Sequence, residues 1–208
     1  MAYPTVSAPY GLKPINRVDG LPYAGAIRQV PIASTYNTAI YNGDIVRIAA
    51  GGTIQKSTVT TDATTAAANN TYGVFVGVAY TNSQSQPVEA QYYPGNSGVS
   101  NAVAYVVDDP MAAFKVAVTY SANATVTSVN QSIVGTNVPA RQGTGSTITG
   151  DSAVSVYVTD AQGNVAALPF RVVAVVPDTN TSSTTYCEVI VKLNNPQILG
   201  TTGLDYAA

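Results

Sequence analysis

Apolar and polar side chains alternate with a period of two along much of this chain. In 113–120, Phe114, Val116 and Val118 fall on one face while Lys115, Ala117 and Thr119 fall on the other, the repeat of a strand with one buried face. Residues 186–193 read the same way. Cys187, Val189, Val191 and Leu193 point inward, and Glu188 and Lys192 point outward around Ile190. Turn residues punctuate the remainder. Asn42-Gly43 and Gly51-Gly52 bracket a short strand at 44–48 and its return at 53–58, which predicts a hairpin. Further strands are expected at 73–80, 88–93, 102–107, 153–159 and 170–176, with Thr/Ala/Asn-rich 60–71 as a loop. The stretch 123–150, rich in Asn, Ser, Thr and Gly, reads as a long connection or projecting loop. No amphipathic helical period and no fixed-period repeat is found. The expected fold is all-β: an antiparallel sandwich or barrel, jelly-roll-like, with an extended N-terminal arm.

That arm is residues 1–34, preceding a single β-rich domain over 35–208. Pro4, Pro9, Pro14, Pro22 and Pro31 together with Gly11, Gly20 and Gly25 defeat a helix and prevent a long central strand. Between them stand Tyr3, Tyr10, Leu12, Ile15, Leu21, Tyr23, Ile27, Val30 and Ile32, regular apolar anchors of a segment that docks on a surface. Fully extended, the segment reaches at most about 110 Å, enough to clasp a neighbouring subunit. The other reading of it is an irregular start packed on its own domain. The candidate interface is Tyr3, Tyr10, Leu12, Ile15, Tyr23, Ile27 and Arg28. On the clasp reading, removing 1–34 leaves the strand domain folded and strongly reduces attachment.

Composition narrows the functions. Charged residues are 10% of the 208, against about 25% in an average domain. Such a surface makes close protein contact with little ion desolvation. The net charge is −2, and the nine Lys and Arg stand singly between Lys13 and Lys192, so nucleic acid is not an expected partner. Nor is a membrane: the most apolar stretch, 165–176, is interrupted by Pro169 and Arg171 and is shorter than the ~20 residues of a helical span. The opening residues carry no basic region followed by an apolar one, so no signal peptide is read there and synthesis in a cytoplasm is expected, whatever larger object the protein later joins. Cys187 has no second cysteine to pair with and reads as a small core hydrophobe.

Catalytic chemistry has little to work with. The absence of histidine removes Ser-His-Asp and Cys-His systems and histidine metal sites. The one adjacent acidic pair, Asp108-Asp109, precedes Pro110, where aspartate supports turns. Residues 141–146 (Arg-Gln-Gly-Thr-Gly-Ser) have the texture of a phosphate loop but lack its lysine and full glycine spacing. No run of acidic calcium ligands occurs. The expectation is therefore no enzyme, no cofactor and no metal. Tyrosine, 14 residues against three Phe and no Trp, is the conspicuous contact residue, suited equally to interfaces and to strand packing.

Ala8-Pro-Tyr-Gly-Leu-Lys-Pro14, Pro22-Tyr-Ala-Gly-Ala-Ile-Arg28, Pro31-Ile-Ala-Ser34 and Tyr41-Asn-Gly-Asp-Ile-Val-Arg-Ile48 resemble the opening of a family of small structural proteins of marine and freshwater tailed phages, cyanophages included. Some of that family are capsid cement proteins. The resemblance is clearest over 8–48, and Tyr105-Val-Val-Asp-Asp-Pro110 followed by Phe114 is similar to a later family segment. It implies a β-rich decoration protein on the outer capsid surface of the virion, binding the major capsid protein and itself, as a homotrimer ahead of a dimer, and tying capsomers together. The alternatives are a minor tail or head-completion protein and, from another class, a carbohydrate-binding or adhesive module.

Overall fold

The computed structural model describes residues 5–58, 71–120, 124–158, 166, 168–181, 184–194 and 196–199. Tyr3 and most of the expected 60–71 loop lie outside them. In chain order the strands are β1 (Lys13–Arg17), β2 (Arg28–Pro31), β3 (Ile45–Ile48), β4 (Ile54–Lys56), β5 (Gly73–Thr81), β6 (Pro87–Ala90) and β7 (Ser100–Val107). They continue with β8 (Ala112–Tyr120), β9 (Ala124–Thr125), β10 (Asn137–Val138), β11 (Ala140–Arg141), β12 (Ser155–Tyr157), β13 (Phe170–Val175) and β14 (Glu188–Leu193). Among the described residues, helix is confined to two 3-10 turns, at Gln131–Ile133 and Gln197–Leu199. The protein is all-β.

The strands form two sheets. The eight-stranded sheet runs β10-β13-β14-β8-β12-β11, with β1 and β9 also on β8. Strand β8 is its hub. Along one edge it pairs with β1 and then, in parallel, with β12; along the other it pairs with β14 and then β9. The six-stranded sheet runs β2-β7-β5-β3-β4, with β6 on β5. It curls until Ile32, just beyond β2, bridges Ile54 of β4, which nearly closes it into a small barrel. Closure suits the sequence, because a barrel leaves few edges for stray pairing.

Three strands serve two cores at once. In β3, Ile45 enters the core beneath the eight-stranded sheet while Val46 enters the barrel; Val74 and Phe75 of β5 divide likewise, as do Val107 and Val106 of β7. Adjacent strand residues point to opposite faces, so a strand wedged between two cores reads as a continuous apolar run. Phe114, Val116 and Val118 fill the first core from β8, and Phe170, Val172, Val189 and Val191 complete it. Burying each of these side chains contributes about 1.5–3 kcal/mol.

The opening segment is part of both sheets. Residues 13–17 pair with β8, residues 28–31 pair with β7, and Leu12, Val30 and Ile32 are buried. Its prolines fit because they sit where a strand tolerates them: Pro14 beside a bulge in β1 and Pro31 at the end of β2. Within the described residues, 1–34 is thus integrated with its own domain rather than standing off it as an arm. The stretch 123–150 also departs from the expected loop. It supplies β9, β10 and β11, and Val138 and Ala140 are fully buried.

Candidate interface and its anchoring

The structure uses most of the expected contact residues internally. Leu12 lies in the first core, Ile15 and Tyr23 are half-buried, and the Tyr23 hydroxyl donates to the Ala26 carbonyl at 3.2 Å. Tyr10 donates to the Glu188 carboxylate. Arg28 has an exposed side chain, yet its Nε lies 2.5 Å from Asp108 Oδ2. Of the described members of the expected set, Ile27 is the apolar one left open, 49% exposed.

Other apolar side chains are open too, of which the sequence singled out Leu21 as an anchor but not Val18 or Met111. Val18, Leu21 and Met111 are also exposed large apolar side chains. The backbone explains their grouping. Asp19 accepts from the Leu21 amide while the Arg17 amide donates to the Leu21 carbonyl, so 17–21 is a tight turn with Val18, Asp19 and Gly20 at its tip and Leu21 closing it opposite Arg17. The Val18 amide then donates to the Met111 carbonyl at 2.8 Å, laying that turn beside the β7–β8 connection. The same connection holds Asp108 and Asp109.

These two aspartates act as the clamp. Asp109 meets Arg17 Nη1 at 2.7 Å and accepts from the Met111 amide at 2.8 Å. Asp108 meets Arg28 and also accepts from the Tyr72 hydroxyl at 3.0 Å, while burial, followed by that bond, pushes the Tyr72 phenol up to about 12. Arg17 also chelates Asp19, whose carboxyl is held below its usual range chiefly by that hydrogen bond. Both ends of the 17–28 excursion are therefore fixed by arginine–aspartate pairs. Four exposed apolar side chains, the ridge residues Val18, Leu21, Ile27 and Met111, are thus carried on segments that this polar frame ties together.

A second polar assembly staples the sheets together. Asp44 is fully buried; its carboxylate accepts from the Tyr41 amide at 2.9 Å and from Ser152 Oγ at 2.6 Å, and it meets Lys56 Nζ at 2.9 Å. Asn42 bridges Asp151 in parallel, and Lys13 donates to both side chains. Gly43 is required at this crossing. Its φ is +95°, and a Cβ there would stand 2.8 Å from the Leu12 nitrogen. The glycine-containing 141–146 stretch also packs rather than opening as a ligand loop: Gln142 Nε2 donates to the Ile45 and Ser57 carbonyls, and a Cβ on Gly145 would overlap the Tyr41 ring.

Glu188 faces outward, as the alternation implies, but it is buried at 3% exposure. Residues 5–10 cross that face: the Tyr186 amide donates to the Val6 carbonyl, and Tyr10 covers Glu188 with its ring 6.0 Å from Lys115 Nζ. Lys115 meets the carboxylate at 3.2 Å. Burial, then the bond to Glu188, raises the Tyr10 phenol. A cleft of about 660 Å³ lies alongside, bounded by 5–10, Lys115, Ser146, Thr149 and Asp151. Cys187 is buried, and burial pushes its thiol up to about 12, an environment that disfavours the reactive thiolate. Among the described residues no cluster of three or more metal-ligating side chains occurs.

Comparison of the chain with protein-family models, with characterised proteins and with solved structures finds no match in any of the three.

Proposed function

We propose that this chain is a structural protein that works by binding a larger protein surface, as a decoration protein on the outside of a tailed-phage head. The observation that carries the binding part is the ridge of Val18, Leu21, Ile27 and Met111, held in place by the Arg17–Asp109 and Arg28–Asp108 pairs. Exposed apolar side chains grouped on a rigid polar frame are the anatomy of a contact patch. The phage assignment draws on the resemblance of 8–48, a span that holds three of the four ridge residues, Val18, Leu21 and Ile27. In this reading the major capsid protein is the partner, copies of the chain group in threes around a symmetry axis, and one surface serves several contacts through closed symmetry. Asp108 and Asp109 serve the frame, which gives the adjacent acids a role other than catalysis.

The test is sedimentation with undecorated heads. The Leu21→Ser/Ile27→Ser double variant should keep its β-type circular dichroism and weaken attachment by about 1–4 kcal/mol, because both side chains are exposed in the free protein and apolar anchors dominate such contacts. Attachment equal to that of the unmodified chain would remove the ridge from the interface. The 660 Å³ cleft beside Tyr10 supports a second reading, a carbohydrate-binding module, since its size suits a small ligand and its hydroxyls and charges suit a polyol. Glycan binding that is lost on filling that cleft, with no attachment to heads, would favour it.

A further inference from the structure

We propose that the outward face of β13 and β14, centred on Arg171 and Lys192, is a docking site for an acidic segment of a partner protein. It goes beyond the reading above, because the chemistry of this contact is independent of whether the partner is a capsid.

The nine cations that stand singly in the sequence do not stay scattered. Four of them, Lys13, Lys115, Arg171 and Lys192, fall on the outward face of the eight-stranded sheet, and they are paired like with like. Lys13 sits directly opposite Lys115 across β1 and β8, and Arg171 sits directly opposite Lys192 across β13 and β14. Like charges in cross-strand register destabilise a sheet. The two pairs are treated differently. Lys13 is neutralised by Asp151 at 2.7 Å and Lys115 by Glu188 at 3.2 Å. No acid among the described residues meets Arg171 or Lys192.

The fork of Arg171 is nevertheless aimed. Its Nε donates to Asn137 Oδ1 at 2.9 Å, which orients the guanidinium and leaves its terminal nitrogens without a hydrogen-bond partner among the described residues. A carboxylate taking both nitrogens in a bidentate contact, with Lys192 beside it, would relieve the repulsion. The register row continues from Lys192 through the buried Ala113 to the exposed Asn16, neither of which adds a charge beside the pair. Protein carboxylates are favoured over nucleic-acid phosphates because the whole chain carries a net charge of −2 and two uncompensated cations give little of the counterion release on which polyanion binding depends.

The test uses the full chain, isotopically labelled, titrated with a deca-glutamate peptide and separately with a single-stranded oligothymidylate. The peptide should move the amide resonances of 170–175 and 188–193, with an affinity that falls as salt rises. Arg171→Ala/Lys192→Ala should weaken peptide binding by about tenfold or more. Lys192→Glu supplies an internal partner for Arg171, so it should abolish binding while raising the melting temperature by about 1–4 °C. Three results would overturn the proposal: no peptide binding, unchanged affinity in the double variant, or tighter binding of the oligothymidylate than of the peptide.

Discussion

Removing residues 1–34 is expected to abolish cooperative folding, not merely attachment. The deletion takes away β1, which lines half of one edge of the hub strand β8, and β2, which ends the six-stranded sheet. It also removes Leu12, Val30 and Ile32, which are 0%, 7% and 6% exposed. At about 1.5–3 kcal/mol each, those three side chains contribute roughly 5–9 kcal/mol against a total stability of about 5–15 kcal/mol. The Ile32–Ile54 bridge that closes the barrel goes with them. Circular dichroism melts of the truncated chain should show a non-cooperative transition or none. A sharp melt near that of the full chain would mean that the opening segment is a dispensable clasp after all. For the same reason truncation cannot test binding, and the Leu21 and Ile27 substitutions are the informative ones.

Asp44→Ala is the single substitution expected to cost most outside the apolar cores. It leaves the Lys56 ammonium, whose side chain is 16% exposed, without its counter-ion and with only the Gly143 carbonyl at 3.5 Å among the described residues, and it leaves the Ser152 hydroxyl without its acceptor. Breaking a buried ion pair from one side costs about 3–5 kcal/mol, because the remaining charge stays desolvated. Asp44→Asn preserves the shape and one acceptor oxygen and should cost less. Urea unfolding with an unchanged slope would report both. A loss below about 1 kcal/mol for the alanine variant would show that Lys56 and Ser152 find water or other partners, and that the seam between the sheets does not depend on this carboxylate.

What the sequence revealed follows the range of the interaction involved. Strands β8, β13 and β14 were legible because alternation is local: each carries its own buried face in its own residues, whereas β5 and β7, buried on both faces, showed as short apolar runs between turn residues. The hairpin of β3 and β4 was legible from its turn glycines. Strands β10 and β11 were not, since two residues cannot display a period, and Val138 and Ala140 are buried by partners on β13 and β12. The prolines of 1–34 suggested independence, yet a proline at a bulge or a strand end leaves pairing intact. Glu188 was placed on the correct face, but nothing local announces that residues 5–10 cover it.

The candidate interface divides in the same way. Tyr10, Leu12, Ile15, Tyr23 and Arg28 were chosen as anchors lacking a core of their own, and distant partners use them: Glu188 for Tyr10, Asp108 for Arg28, the first core for Leu12. Ile27 is open, as expected of a contact residue. Val18 and Leu21 were visible as apolar residues flanking Asp19-Gly20, a turn pair that pushes neighbours outward, and that was the signal available. Met111 joins them through a contact across the fold. The pairing of Arg171 with Lys192 likewise depends on register between strands about twenty residues apart, which no single segment encodes.

We propose that this protein sits on the outside of a phage head and is held there chiefly by the ridge residues within 18–27. Imaging purified particles at a resolution that traces strands tests it most directly. The proposal predicts all-β density on the outer shell surface, grouped in threes, with Leu21 and Ile27 against the major capsid protein. Particles with no such density on the shell, or with that density facing the partner through a surface remote from residues 18–27, would contradict it.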